Sequence, residues 1–322
     1  MMVQYVNGIF LLIGFVIAPL LCYGVCRGLL PRRWQRKIGI VGAAVIILLT
    51  AYGWTLGSQQ LTVRPVTIVC SDLPQSFDGY RIVQFSDAHV GTMTGWRKAM
   101  LQRAVDSIMN QRADMIVFTG DLQNIGPHEL PEHLAQLSRL KAPDGVYSVL
   151  GNHDYAVYQK ADSATKAANC QLTCEYERRA GWQLLLNEYR TIRRGSDSLI
   201  VAGMENWGVA KRMPHRGDVG KTLARLQRSA FVVMLEHDPS AWRARILPES
   251  WAQLTLSGHT HGGQLRMFGW SPVSFTYDEW GGLYHEGHRS LFVSTGLGGL
   301  IPFRLGIPGE IVVITLKKKH YK

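Results

Sequence analysis

Two long apolar stretches open the chain, and a more broken pattern succeeds them. Gly8 to Cys26 and Ile38 to Gly57 carry no charged side chain. Each is close to the roughly 20 residues that a helix needs to cross the hydrocarbon core of a bilayer. Residues 1–60 are therefore expected to form a two-helix transmembrane hairpin, and residues 61–322 a single soluble domain. A cleavable signal peptide fits less well, because Met1 to Asn7 carry no positive charge and a second apolar span comes directly after the first. The intervening loop holds Arg27, Arg32, Arg33, Arg36 and Lys37, whereas Ser58 to Pro65 holds only Arg64. Short basic loops stay on the cytoplasmic side. The N-terminus and the soluble domain are thus expected on the outer face, which is the periplasmic face if the membrane is a bacterial inner membrane.

Beyond Arg64, short apolar runs alternate with longer amphipathic segments, the pattern of an α/β domain. Strands are predicted at Arg81–Phe85, Met115–Phe118, Val146–Leu150, Phe231–Leu235 and Leu254–Leu256. Helices are predicted at Trp96–Arg112 and Glu129–Leu140, and Pro143-Asp144-Gly145 signals a turn into the third strand. Tyr155 to Gly181 breaks the rhythm, with few aliphatics, a helix start at Asp162-Ser163 and a basic pair at Arg178-Arg179. It reads either as a lid over a site or as a surface insertion.

Composition narrows the partners without choosing one. The formal charge is +11, from 35 Lys and Arg against 24 Asp and Glu, which suits nucleic acid, a phospholipid surface or a phosphorylated substrate. Much of the excess lies in the loop between the spans and in Lys317, Lys318 and Lys319. No dense basic stripe accompanies the polar motifs of the soluble region, so no nucleic-acid partner is expected. The five cysteines (Cys22, Cys26, Cys70, Cys170 and Cys174) form no CxxC pair, which argues against a zinc knuckle or a disulfide framework.

Each predicted strand ends in a polar cluster: Asp87-Ala88-His89, Gly120-Asp121, Gly151-Asn152-His153-Asp154, Glu236-His237-Asp238 and Gly258-His259-Thr260-His261. Ligands bind at the carboxyl ends of strands in open α/β sheets, so the five clusters are expected to meet on one rim. Any one of them alone would read as an ordinary turn. The donors are oxygen and imidazole with no thiolate, which suits Mn²⁺ best, Fe or Zn²⁺ next and Mg²⁺ less well. They are too many for one tetrahedral ion. Two divalent ions sharing a carboxylate, about 3.5–4 Å apart, would use them all and would clamp both oxygens of an in-line displacement. Phosphate-ester hydrolysis is the reaction that most needs such a clamp. The remaining histidines, His128, His133, His215, His285, His288 and His320, have no partner at useful spacing and read as surface residues.

The series DAH, GD, GNHD, HD and GHTHGGQ is similar to the calcineurin-like metallophosphoesterase family, over about Arg81 to Leu316. The resemblance implies two mixed sheets in a sandwich flanked by helices. It places Asp87, His89, Asp121 and His261 on one metal, and Asp121, Asn152, His237 and His259 on the other. It further implies attack by a metal-bridging hydroxide, with His153 steadying charge or protonating the leaving oxygen. Many relatives carry GDxxD, whose second carboxylate supports the histidine of GNH. Asn124 stands at that position here, so the expectation is that Asn124 orients His153 or that Asp154 lends the charge instead. GDLQNIG lacks the arginine of the protein phosphatase pattern GDxVDRG, which argues against phosphoproteins.

The two spans, Leu185-Leu186-Asn187-Glu188, GHTHGGQ and the ending STGLGGLIPFRLGIPGEIVVITL resemble a membrane-bound branch of the family. That branch includes bacterial phosphodiesterases and relatives of the UDP-2,3-diacylglucosamine hydrolase of lipid A synthesis, and so implies a membrane-associated or lipid-linked phosphate-ester substrate. UDP-linked lipids are cytoplasmic, which conflicts with the orientation read from the basic loop. Phe268, Trp270, Phe275, Tyr277, Trp280 and Tyr284 make the stretch after GHTHGGQ aromatic, suited to lipid or to rim packing. The alternatives are a nuclease or cyclic-nucleotide phosphodiesterase and, in another class, an inactive membrane-tethered metal-binding scaffold.

Overall fold

The computed structural model describes residues 2–319. The chain begins with α1 (Met2–Leu12), which runs through a π turn at Ile13–Ile17 into α2 (Ala18–Leu29). Pro19 has no N–H to donate and its ring crowds the carbonyl one turn back, and a π turn at that point relieves both. After a short turn, α3 (Arg32–Trp54) returns alongside α2. Val6–Leu29 and Arg32–Gln59 are long and apolar enough to cross a membrane, and only 6% and 17% of their most apolar windows are buried. A core helix of a soluble protein would instead be covered. Small residues let the two helices approach closely: a Cβ at Gly42 would come within 2.7 Å of Cys22 Sγ.

The hairpin is fastened to the sheet domain at two points. Phe303 packs its ring on Phe10 at 4.6 Å between centroids, and the Arg304 backbone N–H donates to the Gly53 carbonyl at 3.0 Å. The last turn of α1 and the end of α3 therefore lie together against the domain.

The domain's elements run β1 (Leu61–Cys70), β2 (Arg81–Phe85), α4 (Ala99–Asn110), β3 (Met115–Phe118), α5 (Leu134–Leu137), β4 (Val146–Ser148), α6 (Ser163–Arg179), β5 (Gln183–Leu184), β6 (Glu188–Arg194) and β7 (Asp197–Gly203). They continue with β8 (Phe231–Leu235), β9 (Leu254–Ser257), β10 (Gly282–Glu286), β11 (Arg289–Val293) and β12 (Gly309–Lys318). Two six-stranded mixed sheets result, in the orders β1-β12-β2-β3-β4-β5 and β10-β11-β9-β8-β7-β6.

The apolar runs form strands covered on both faces. Ile82, Met115, Val117 and Tyr147 point between the sheets to meet Val201, Phe231, Val233 and Leu256. Their neighbours Val83, Phe85, Ile116 and Phe118 point the other way, onto Leu101, Ala104, Val105 and Ile108 of α4. On the far side, Ile200, Val232 and Met234 pack against Trp242 and Ile246. Strands β2, β3 and β4 are mutually parallel, as are β7, β8 and β9. Their carboxyl ends deliver the motif loops to one rim.

Two expectations are corrected by the fold. The predicted helix at Glu129–Leu140 is broken into 3₁₀ turns at Pro127–Glu129 and Pro131–His133 and a single α turn, α5. Pro131 supplies no N–H, and the Glu129 carboxylate is turned back to accept from the Asn124 and Ile125 backbone at 2.6 and 2.9 Å. His133, read as a surface residue, is buried, and burial lowers its imidazole pKa. His320 lies outside the described residues. Within 155–181 the chain forms α6, whose N-cap Asp162 accepts from the Thr165 N–H at 2.7 Å. Thr173, Cys174 and Glu177 on this helix are buried against the domain.

Candidate metal centre

The loops after β2, β3, β4, β8 and β9 bring Asp87, His89, Asp121, Asn152, His153, His237, His259 and His261 to the rim, together with Asn124 and Asp154. Five of these residues hold left-handed backbone conformations: Asp87 (φ 51°), His89 (43°), Asp121 (62°), His259 (73°) and His261 (52°). Each such conformation costs on the order of 1–3 kcal/mol for a non-glycine residue. Their concentration here marks a site whose surroundings enforce geometry at the expense of local stability. Gly120 (φ 94°) allows the tight approach, because a Cβ there would come within 2.6 Å of both His237 Nδ1 and the Gly151 nitrogen.

Asp121 is the hub. Its Oδ1 accepts the His153 backbone N–H at 2.8 Å. Its Oδ2 lies 3.6 Å from His89 Nε2 and 3.3 Å from His237 Nε2. On one side of it, His89 Nε2 faces His261 Nε2 at 3.2 Å, and Asp87 Oδ1 is 3.7 Å from His261 Nε2. On the other, His237 Nε2 faces His259 Nδ1 at 3.2 Å and Asn152 Oδ1 at 3.1 Å. Asp87 is fixed by accepting the His259 backbone N–H on both oxygens.

The far nitrogen of each of three rings is occupied, which sets its tautomer. His89 Nδ1–H donates to Asn124 Oδ1 at 3.0 Å, His237 Nδ1–H to the Thr119 carbonyl at 2.7 Å, and His259 Nε2–H to the Tyr277 hydroxyl oxygen at 2.7 Å. In the neutral rings the inward nitrogens of His89, His237 and His259 are therefore left free to bind an ion. Ligand nitrogens at about 2.0–2.1 Å from a tetrahedral ion lie about 3.3–3.4 Å apart, so the 3.2 Å separations fit two donors of one ion. Ligand atoms of Asp87, His89 and His261 fall within 4.8 Å of one another, as do those of Asp121, His237 and His259. His153 lies within the same distance of His89 and Asp121.

The electrostatics agree with a cation site. Burial drives the His89 imidazole down to about 3, helped by the neighbouring His153. Burial likewise lowers His259 and, to a greater extent, His261. Neutral imidazole is the form that binds metal. Burial also disfavours a charged His237, yet Asp121 and Asp87 outweigh it and hold its pKa well above the ordinary value. The pair of carboxylates thus calls for positive charge at this point.

Two assigned supports act differently from expectation. The Asn124 side chain meets His89, while His153 Nδ1–H donates to the Asn124 backbone carbonyl at 2.6 Å. The Glu129 grip on the Asn124 and Ile125 N–H groups turns the loop this way. Asp154 does not face the His153 ring; its carboxylate accepts backbone N–H groups from Asp121 (2.7 Å), Leu122 (3.0 Å), Gln123 (3.3 Å) and Gly151 (2.9 Å). It ties the loop after β3 to the loop after β4.

Asp154→Ala should therefore leave four buried donors unpaired, with a stability loss of about 3–5 kcal/mol, since each unpaired group costs about 1–3 kcal/mol before relaxation. A clearly lowered thermal midpoint, with a smaller fall for Asp154→Asn, is the expected reading. Equal midpoints for wild type and Asp154→Ala would refute the bracing role.

Two further residues reach the site, Tyr158 with no motif to announce it and Tyr277 from the aromatic stretch after GHTHGGQ. Tyr158 packs its ring on His153 at 4.5 Å, and Tyr277 holds His259. Burial raises both phenol pKa values above the ordinary range. Both stay protonated at physiological pH.

Paired imidazoles flanking a shared carboxylate at the junction of two mixed sheets define a dinuclear-type phosphoesterase site. Residues 80–263 match the family model of calcineurin-like phosphoesterases. An uncharacterised metallophosphoesterase of Bacillus subtilis (strain 168) is 32% identical over 303 residues, covering 89% of this chain and 98% of its own length. One from Aquifex aeolicus (strain VF5) is 30% identical, covering 85% of this chain and 98% of its own. A transmembrane protein with a metallophosphoesterase domain from Danio rerio is 29% identical over 87% of this chain, which spans 62% of that longer protein. The chain belongs to the calcineurin-like phosphoesterase family and is a metal-dependent hydrolase of phosphate esters.

Proposed function

We propose that Asp87, His89, Asp121 and His261 hold one divalent cation and that Asp121, Asn152, His237 and His259 hold a second. Mn²⁺ suits this oxygen and imidazole set best, ahead of Fe or Zn²⁺ and then Mg²⁺. The observation that carries the reading is Asp121 Oδ2 placed between the inward nitrogens of His89 and His237. Bound there, two cations would supply Lewis acidity to water and to the phosphoryl oxygens.

The protein's own contribution is positioning. Asn124, Thr119 and Tyr277 fix three ligand rings, and Asp154 fixes the loops that carry Asp121 and Asn152. His153, anchored through Nδ1 on the Asn124 carbonyl, keeps Nε2 for the leaving oxygen and acts as the acid. Asn124 is a positioning residue for His89. Asn124→Ala should weaken metal binding about 10–100-fold, the usual effect of losing the partner of a ligand histidine. Activity should return at high metal concentration, and the alkaline limb of the pH–rate profile should stay in place, because the carbonyl that holds His153 is retained. A displaced limb with unchanged metal affinity would assign the side chain to His153 instead.

The reaction is hydrolysis of a phosphodiester, pyrophosphate or phosphomonoester bond in a membrane-associated or lipid-linked substrate, a UDP-2,3-diacylglucosamine-like lipid being a candidate only if the domain faces the cytoplasm. Support comes from the hairpin fastened at Phe303 and Arg304 and from an apolar tip beside it. Phe268 is fully exposed and Phe275 84% exposed. The Arg266 N–H just before the tip donates to the Leu305 carbonyl, two residues from Phe303. Such side chains are at home in a bilayer interface.

Rates on soluble mono- and diesters, set against lipid-linked diesters and pyrophosphates in vesicles, test this reading. A clear preference for the lipid forms is expected, and equal rates would remove the membrane substrate. A topology reporter after Lys322 should give an outer-face signal, which excludes UDP-linked lipids; a cytoplasmic signal would reverse the orientation and restore them.

A further inference from the structure

Beside the metal centre lies a cavity of about 710 Å³. Its walls include Val6, Ile125, Pro127, Tyr158, Leu172 and Tyr176. Three features give it a direction. Val6 lies on α1, within the first membrane-length apolar segment, so one end of the cavity opens on that helix. Tyr158 is shared with the site, since the ring that lines the cavity also packs on His153 at 4.5 Å. Ile125 comes directly after Asn124, which holds His89 and His153. The cavity thus runs from a membrane helix to the wall of the catalytic histidine. α6 forms its far side through Leu172, which is 37% exposed although apolar.

We infer that this cavity is an acyl-chain groove, which receives one hydrocarbon chain of a membrane lipid while the phosphate of that lipid sits at the metal centre. Its volume is in the range of small-molecule sites. The physical reason for such a groove is transfer. A chain drawn from the bilayer through water loses about fourfold in partition for each methylene exposed. A chain sliding along Val6 onto Ile125, Pro127, Leu172 and the tyrosine rings keeps apolar contact on one side, while His128, Gln159, Lys160 and Asn169 complete the wall. α6 then acts as the groove's outer wall. This inference rests on the reading of a membrane-associated substrate, and it adds the place that binds the chain.

The test uses the full chain in phosphatidylethanolamine–phosphatidylglycerol vesicles doped with phosphatidylglycerol bearing a diazirine at the end of one acyl chain. After photolysis, cross-links mapped by mass spectrometry should fall on peptides containing Ile125–Pro127 and Leu172–Tyr176 as well as on the two spans. Cross-links confined to the spans would overturn the groove, whatever the enzyme hydrolyses. Leu172→Trp, which fills the groove, and Leu172→Glu, which places a charge in it, should each lower the ratio of kcat/KM on a lipid-linked ester to that on its soluble headgroup ester by roughly tenfold. An unchanged ratio in both variants would also overturn it. Failure of the membrane-substrate reading would look different, with groove cross-links present and no preference for lipid-linked esters in the wild type.

Discussion

Replacing Asp121 with asparagine should lower kcat/KM on any phosphate ester by about a thousandfold, the largest single-residue effect in this protein. Lewis-acid stabilisation is worth several kcal/mol, and each ~1.4 kcal/mol is tenfold in rate. The substitution keeps the shape, so the cause is chemical. The oxygen at the Oδ1 position must still accept the His153 N–H. The amide –NH₂ is then left at the Oδ2 position, where it points donors at His89 and His237 in place of a shared anion. Both halves of the site lose a ligand at once. Kinetics with metal analysis should show a loss larger than that from His89→Asn or His259→Asn, each of which touches one half. A loss no larger than those would deny Asp121 its shared role.

The second large effect is expected at His153, with a signature unlike that of the ligands. His153→Gln should keep the metal content of the wild type and lower kcat by about 10²–10³-fold on esters with alkoxide leaving groups, the range of general acid catalysis. On p-nitrophenyl esters, whose leaving group needs little protonation, the loss should be far smaller. The contrast arises from the geometry, because Nδ1 is committed to the Asn124 carbonyl and only Nε2 is left to act. A uniform loss on both ester types would make His153 a ligand or a charge anchor and not an acid.

The site was more legible in the sequence than its supports. The five strands preceding the motifs are buried on both faces, so they appear as short apolar runs interrupted only by single polar residues such as Gln84 and Thr255, and their parallel order sends the adjoining clusters to one rim. The outer strands have no such signal. β1 carries Arg64 and Pro65 and leaves Arg64, Pro65 and Thr67 on the surface, and its partner β12 lies some 250 residues away in sequence, as Leu61 facing Gly309 illustrates. The helix expected at 129–140 had the right apolar spacing, but Pro131 and the turned-back Glu129 divided it. Motif spacing put Asn124 beside His153, and it does hold that ring, but through its backbone carbonyl, with its side chain turned to His89 in a loop gripped by Glu129, a residue outside the motif. Tyr158 reaches the site from a loop with no local pattern, whereas Tyr277 belongs to the aromatic stretch after GHTHGGQ, whose composition did not say which ring would hold His259.

Metal content against activity tests the account most directly. The full chain, stripped by chelation and titrated with Mn²⁺, should bind two ions per chain by elemental analysis, with hydrolysis of bis-p-nitrophenyl phosphate reaching its maximum only as the second equivalent binds. Asp121→Asn should bind fewer ions and stay inactive. Full activity with a single ion, or turnover that survives chelation, would contradict a centre built around Asp121.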